Sequence, residues 1–73
     1  GSRVMQEVER LVKMANQIAE NFSLHEDAVE RTADHLRRFW APSMCGKLAD
    51  FEAAGGNGLN EAARAAVRRL GPS

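Results

Sequence analysis

The sequence predicts an all-α domain, a small bundle of three to four helices at about residues 4–22, 24–40, 43–54 and 60–70. Three observations predict it. Apolar residues recur at the one-sided spacing of amphipathic helices. Start and stop signals at Ser23, Pro42 and the Gly55–Gly58 cluster separate these stripes. No segment shows the alternating, β-branched pattern of a strand.

The first stripe consists of Val4, Val8, Leu11, Val12, Ala15, Ile18, Ala19 and Phe22. Glu9, Lys13, Gln17 and Glu20 fall on the opposite face, with Met14 and Asn16 at its two edges. Ser23-Leu24-His25-Glu26 then reads as a capping box that opens the second helix, Ser23 as N-cap and Glu26 reaching back. Its inner stripe is expected to be Ala28, Val29, Thr32, Ala33, Leu36, Phe39 and Trp40, with His35 and Arg37 at the borders and Asp34 and Arg38 outward. Arg37 and Arg38 also complement the dipole at the helix end.

Pro42 ends that helix, because the residue before proline avoids the α region, and proline suits the first turn of the next one. Met44, Leu48 and Phe51 form the buried row of the third helix, which Gly46 weakens by roughly 1 kcal/mol relative to alanine. Gly55-Gly56-Asn57-Gly58 is a tight connection with glycine available for the left-handed C′ position. Asn60 caps the fourth helix, whose apolar side is Leu59, Ala62, Ala63, Ala66, Val67 and Leu70. Residues 4–70 make one domain, Gly1-Ser2 reads as the remnant of an expression tag within a disordered start at 1–3, and 71–73 is a tail.

Size and composition limit what this domain can do. A chain of 73 residues buries only about 60% of its unfolded surface. Such domains lean on disulfides, metals or partners. One cysteine, Cys45, cannot form an internal disulfide, and His25 and His35 lack the paired spacing of a metal site. A partner is the expected stabiliser. Ten basic and ten acidic residues give a formal charge of zero, whereas a nucleic-acid binder of this size is normally basic. No apolar run approaches the roughly 20 residues of a membrane span, no segment reads as a signal peptide, and the lone thiol points to the cytoplasm.

No nucleophile elbow, zinc-protease motif or carboxylate pair is present. The Gly55–Gly58 cluster lacks the Lys-Ser/Thr of a phosphate loop and reads as a turn. Cys45 reads as a small half-buried filler, ahead of a reactive first-turn thiol. Arg64, Arg68 and Arg69 read as a solvated basic face. Trp40 reads as a core keystone with one edge available as an anchor, and Arg37 and Arg38 as dipole partners or docking groups.

Two blocks, Leu11-Val12-Lys13-Met14-Ala15-Asn16-Gln17-Ile18-Ala19 and Ala33-Asp34-His35-Leu36-Arg37-Arg38-Phe39-Trp40 with Pro42 and Met44, resemble the small delta subunit of soluble NAD-dependent formate dehydrogenases. Glu52-Ala53-Ala54-Gly55-Gly56-Asn57-Gly58-Leu59 is similar to a glycine-rich segment that precedes the last helix there. The likeness spans about residues 11–70. It departs at Ala41, where the family has an N-capping aspartate, a loss of about 1 kcal/mol, and at Ser43, Cys45 and Gly46.

The resemblance implies a non-catalytic accessory subunit that binds the large catalytic subunit and supports assembly, stability or molybdenum-cofactor maturation. It implies that molybdenum or tungsten pterin, iron–sulfur clusters, FMN and NAD belong to partner subunits, with none bound by this chain. The expected docking patch is centred on Arg37, Arg38 and Trp40, flanked by His35 and Met44 and buttressed by Asn16. The alternatives are a transient maturation chaperone and a small helical regulatory or nucleic-acid-binding module, and a homodimer is compatible with each.

Overall fold

The computed structural model describes residues 3–70, with side chains from Gln6 onward. Gly1-Ser2, the tail at 71–73 and the side chain of Val4 lie outside the described residues. Among those residues there are four helices and no strand: α1 (Arg3–Asn21), α2 (Ala28–Phe39), α3 (Pro42–Ala53) and α4 (Glu61–Leu70). They enclose one core of Val8, Leu11, Val12, Ala15, Ala19, Leu36, Trp40, Leu48, Leu59, Ala63 and Val67. The body measures 37 × 22 × 20 Å. α4 packs against all three other helices, most extensively against α2.

α1 follows its stripe, with Val8, Leu11, Val12, Ala15 and Ala19 buried, and Ile18 and Phe22 half-buried. α2 departs from expectation at its start. The capping box does not form: residues 22–27 are turns, and Asp27 occupies the N-cap position without a side-chain cap bond. Its carboxylate accepts instead from Arg31 Nε at 2.7 Å. The reason is the absence of a core under this stretch. Leu24 is 98% exposed, so an extra helical turn here gains no burial, and tertiary packing supplies most helix stability in proteins.

Phe39 is the second correction. It was expected on the inner stripe, yet it is 72% exposed, while Trp40 is 8% exposed and sits in the core. α2 ends at Phe39, which keeps the helical register on the outer side, whereas the backbone turns extended at Trp40 and this residue sits in the core. Thr32, also fully buried, satisfies its hydroxyl by donating to the Ala28 carbonyl at 2.7 Å.

At the α2–α3 junction Trp40 and Ala41 are extended, as a residue before proline should be. Ala41 supplies no side-chain cap, and α3 starts from its carbonyl alone, which accepts from Met44 N at 3.0 Å and Cys45 N at 3.1 Å. α3 ends in a Schellman motif, with Gly55 N–H on the Glu52 carbonyl at 3.0 Å and Gly56 N–H on that of Phe51 at 2.9 Å. Gly55 at C′ has a φ of 135°, a value that disfavours any side chain. The Gly56–Leu59 turn then closes through Leu59 N–H to the Gly56 carbonyl at 3.0 Å.

Asn60 caps α4, its Oδ1 accepting from Ala63 N at 2.8 Å. Asn16 ties this cap to α1: its amide donates to the Gly58 carbonyl at 2.8 Å and accepts from Asn60 N–H at 2.9 Å. Of the α4 arginines expected to form a solvated face, Arg68 and Arg69 are exposed, each in a surface ion pair, whereas Arg64 is half-buried. Arg64 donates to the carbonyls of Gly55 at 2.8 Å and Gly56 at 3.1 Å. Arg68 pairs with Glu52, and Arg69 with Glu30.

Asn60→Ala is expected to cost about 1 kcal/mol through the lost cap, and Asn16→Ala about 1 kcal/mol through the loss of its bonds to the Gly58 carbonyl and the Asn60 N–H. Ser23→Ala should leave stability unchanged. Urea unfolding of the three variants distinguishes these outcomes, and a loss at Ser23 matching that at Asn60 would restore the capping box.

Candidate protein-docking surface

The outer side of α2 carries a row of four rings. His35 and Phe39, one helical turn apart, have ring centroids 4.7 Å apart. Phe22, at the end of α1, meets His35 edge-on at 6.4 Å. His25, in the α1–α2 connection, meets Phe22 edge-on at 6.1 Å. These separations and the edge-on geometries fall in the favourable range for aromatic pairs. Phe22 and His35 are half-buried, whereas His25 and Phe39 are exposed. The row therefore continues from the core margin onto the surface, with exposed Leu24 beside His25 in the chain.

The charges of α2 are internally matched. Asp27 pairs with Arg31 at 2.7 Å, Asp34 with Arg38 at 2.9 Å, and Glu30 with Arg69. Arg31 beside Asp27 holds its carboxyl below the usual carboxylate range, chiefly by hydrogen bonding. Arg37 donates to the Arg69 carbonyl at 2.7 Å, joining α2 to the last turn of α4. These are exposed contacts, individually worth little, but together they leave a ring-rich patch with a balanced rim.

The residues anticipated as a docking patch are thus divided. His35 and Arg38 lie on the outer side of α2, together with Phe39, which had been assigned to the core. Trp40 is a core residue, and Met44 is half-buried against that core. Arg37 is engaged with α4, and the Asn16 side chain with the Gly58–Asn60 segment. Phe22 and His25 escaped sequence reasoning because the contact between an α1 end and α2 depends on how the connection folds back.

Met44 also borders an open groove of about 520 Å³ lined by Gln6, Glu7, Arg10, Leu11, Met14 and Met44. Glu7 on its rim pairs with Lys47 at 2.5 Å. That lining contains no Ser, Cys or His, so it offers no nucleophile–base pair. Among the described residues, no three His, Cys, Asp or Glu side chains cluster as metal ligands. No helix among them is long and apolar enough to cross a membrane. Cys45 is half-buried, its Sγ 3.5 Å from the Leu36 carbonyl, and burial pushes its thiol pKa up. That direction favours the filler role over reactivity.

The chain matches the family of the NADH-dependent formate dehydrogenase delta subunit, FdsD, over residues 10–67. It belongs to this family. No curated protein and no solved structure matches it.

At neutral pH, Cys45 in the folded chain is expected to alkylate with iodoacetamide more slowly than in the urea-unfolded chain, because burial raises its pKa and only the thiolate reacts. Intact-mass kinetics measure the ratio. Equal rates would mean that the fold does not shield the thiol.

Proposed function

We propose that this delta subunit is a non-catalytic accessory protein that binds the large catalytic subunit of formate dehydrogenase through the outer side of α2. On this reading it works in the cytoplasm and supports assembly, stability or molybdenum-cofactor maturation of the complex. Molybdenum or tungsten pterin, iron–sulfur clusters, FMN and NAD are then held by the other subunits. Family membership supports partnership with formate dehydrogenase subunits, and one observation carries the choice of surface. Phe39 stands 72% exposed in a continuous row with His35, Phe22 and His25.

The physical argument is one of unburied area. A large ring held in water forgoes about 1.5–3 kcal/mol of burial. Here the loss is concentrated next to a second ring that fixes its position. Aromatic residues packed in this way are the usual anchors of interfaces. Because the surrounding carboxylates and arginines pair with one another, docking requires an uncharged, apolar counter-surface, with polar acceptors where the imidazoles emerge. His35, Phe39 and Arg38 make the contact. Arg37 positions the α2–α4 pair beneath it, Trp40 holds the end of α2 in the core, and Met44 and Asn16 support the junction and the loop.

The same pairing weighs against nucleic-acid binding. Arg64, Arg68 and Arg69 would have to leave carbonyl and carboxylate partners before meeting phosphates. A partner that binds only the assembled or cofactor-ready state stabilises that state by mass action. A chaperone that departs after maturation would use the same surface, and the stoichiometry of the purified complex separates the two.

Phe39→Ala combined with His35→Ala is expected to weaken association with the catalytic subunit by at least about tenfold, the mark of an anchoring residue. Circular dichroism should show unchanged helicity. Arg37→Ala with Arg38→Ala should weaken it less. Co-purification and titration calorimetry read both, and undiminished binding by the double ring variant would overturn the choice of surface.

A further inference from the structure

The α3–α4 turn carries a chemical feature that partner docking does not use. Asn57 is followed by Gly58, and both are exposed. They occupy the two central positions of the turn closed by Leu59 N–H on the Gly56 carbonyl at 3.0 Å. Gly58 has a φ of 96°, the positive value that the second central position of a type II turn requires. Among the described residues the Gly58 N–H donates to no acceptor, and the Asn57 side chain has no hydrogen-bond partner. A free backbone nitrogen without a neighbouring Cβ thus adjoins a free, solvated amide.

We propose that Asn57 is a deamidation site, at which the Gly58 nitrogen displaces the side-chain amide. The Gly58 nitrogen bonds to Asn57 Cγ and gives up its proton. The Cγ–Nδ2 bond breaks, and the nitrogen leaves with that proton as ammonia. A five-membered succinimide remains. Water then opens it at either carbonyl, giving aspartate or isoaspartate. No oxidant or reductant is involved. Losing the Gly58 proton is the enabling event, so the reaction accelerates as pH rises.

The other three asparagines are held. Asn16 is committed to Gly58 and Asn60, Asn21 accepts from Gln17 within the last turn of α1, and Asn60 caps α4. Their successors, Gln17, Phe22 and Glu61, carry side chains that crowd the attacking nitrogen. Asn57 alone combines a free amide with a glycine successor.

The site is also placed to have an effect. Isoaspartate lengthens the backbone by one methylene directly before Gly58, whose carbonyl is held by Asn16. Leu59, buried in the core, and the Asn60 cap follow at once. The added methylene therefore displaces the segment that anchors α4 to α1, and the aged chain unfolds more easily than the fresh one.

The test uses the full chain incubated at mildly alkaline pH, followed by tryptic mass spectrometry of the 48–64 peptide and by enzymatic methylation specific for isoaspartate. The expected result is exchange of amide for acid at Asn57, with Asn60 in the same peptide unchanged. The folded rate should be of the same order as that in urea. Asn57→Gln, which would have to form a larger ring, should stay intact and keep its melting temperature on incubation, while the wild type loses several degrees. Retention of the Asn57 amide, prior modification of Asn60, or equal loss of melting temperature in both proteins would overturn the proposal.

Discussion

The close seating of α4 is the constraint on which this structure depends. A domain of 73 residues with a single cysteine has no internal disulfide to offset its small core. It compensates by packing every helix against the other three, the short α4 most extensively. Ala63 and Ala66 are fully buried, as are Ala15 and Ala33 on α1 and α2. Small side chains at helix contacts permit short interaxial distances, and short distances let the few large residues, Leu36, Leu48 and Trp40, fill the remaining space. A larger residue at 63 or 66 would have to separate α4 from its neighbours.

That seating dictates the polar chemistry of the loop before α4. The chain must leave α3, reverse and enter α4 within a few residues, which exposes carbonyls that a helix would have bonded internally. Two side chains collect them, and a third caps the helix that follows. Arg64 takes the carbonyls of Gly55 and Gly56, Asn16 takes that of Gly58, and Asn60 supplies the cap acceptor. Gly56 combines a close approach with left-handed backbone: a Cβ there would lie 3.3 Å from the Arg64 guanidinium and 3.4 Å from Glu52 Cα at a φ of 62°, a conformation that favours glycine. The glycine cluster is thus a structural hinge between the two helices, and its chemistry is that of a backbone turn.

Much of this was legible in the sequence, and the failures have identifiable causes. The stripe of α1, Pro42 in the first turn of α3, glycine at the C′ position and the Asn60 cap all depend on neighbours within a few residues. The start of α2 and the direction of Phe39 do not. Ser23 and Glu26 form a sound local signal for a helix start, but only the tertiary structure reveals that nothing lies beneath Leu24. Periodicity allows both Phe39 and Trp40 on one stripe, and the core accepts Trp40. The roles of Asn16 and Arg64 arise from contacts that loop closure creates, so residue type alone classed them as an edge residue and a solvated cation. At the candidate site, Arg38 was identifiable as outward-facing and His35 as a border residue, while Phe22 and His25 joined them only through the fold of the connection.

The position of the ring row links these two themes. The α1–α2 connection at residues 22–27 has little core beneath it, with residues 23–27 all exposed, and rings tie it to α2: Phe22 meets both His25 within the connection and His35, which meets Phe39. A partner seated on this row would bury those rings and clamp the connection at the same time. Burial added there stabilises a thinly supported part of the domain as well as the complex. A small chain with a marginal core therefore gains most from docking on this face, whereas docking against α4 would add burial to the helix that the rest of the bundle already holds most extensively. The physical economy of the fold and the choice of docking surface follow from the same shortage of core.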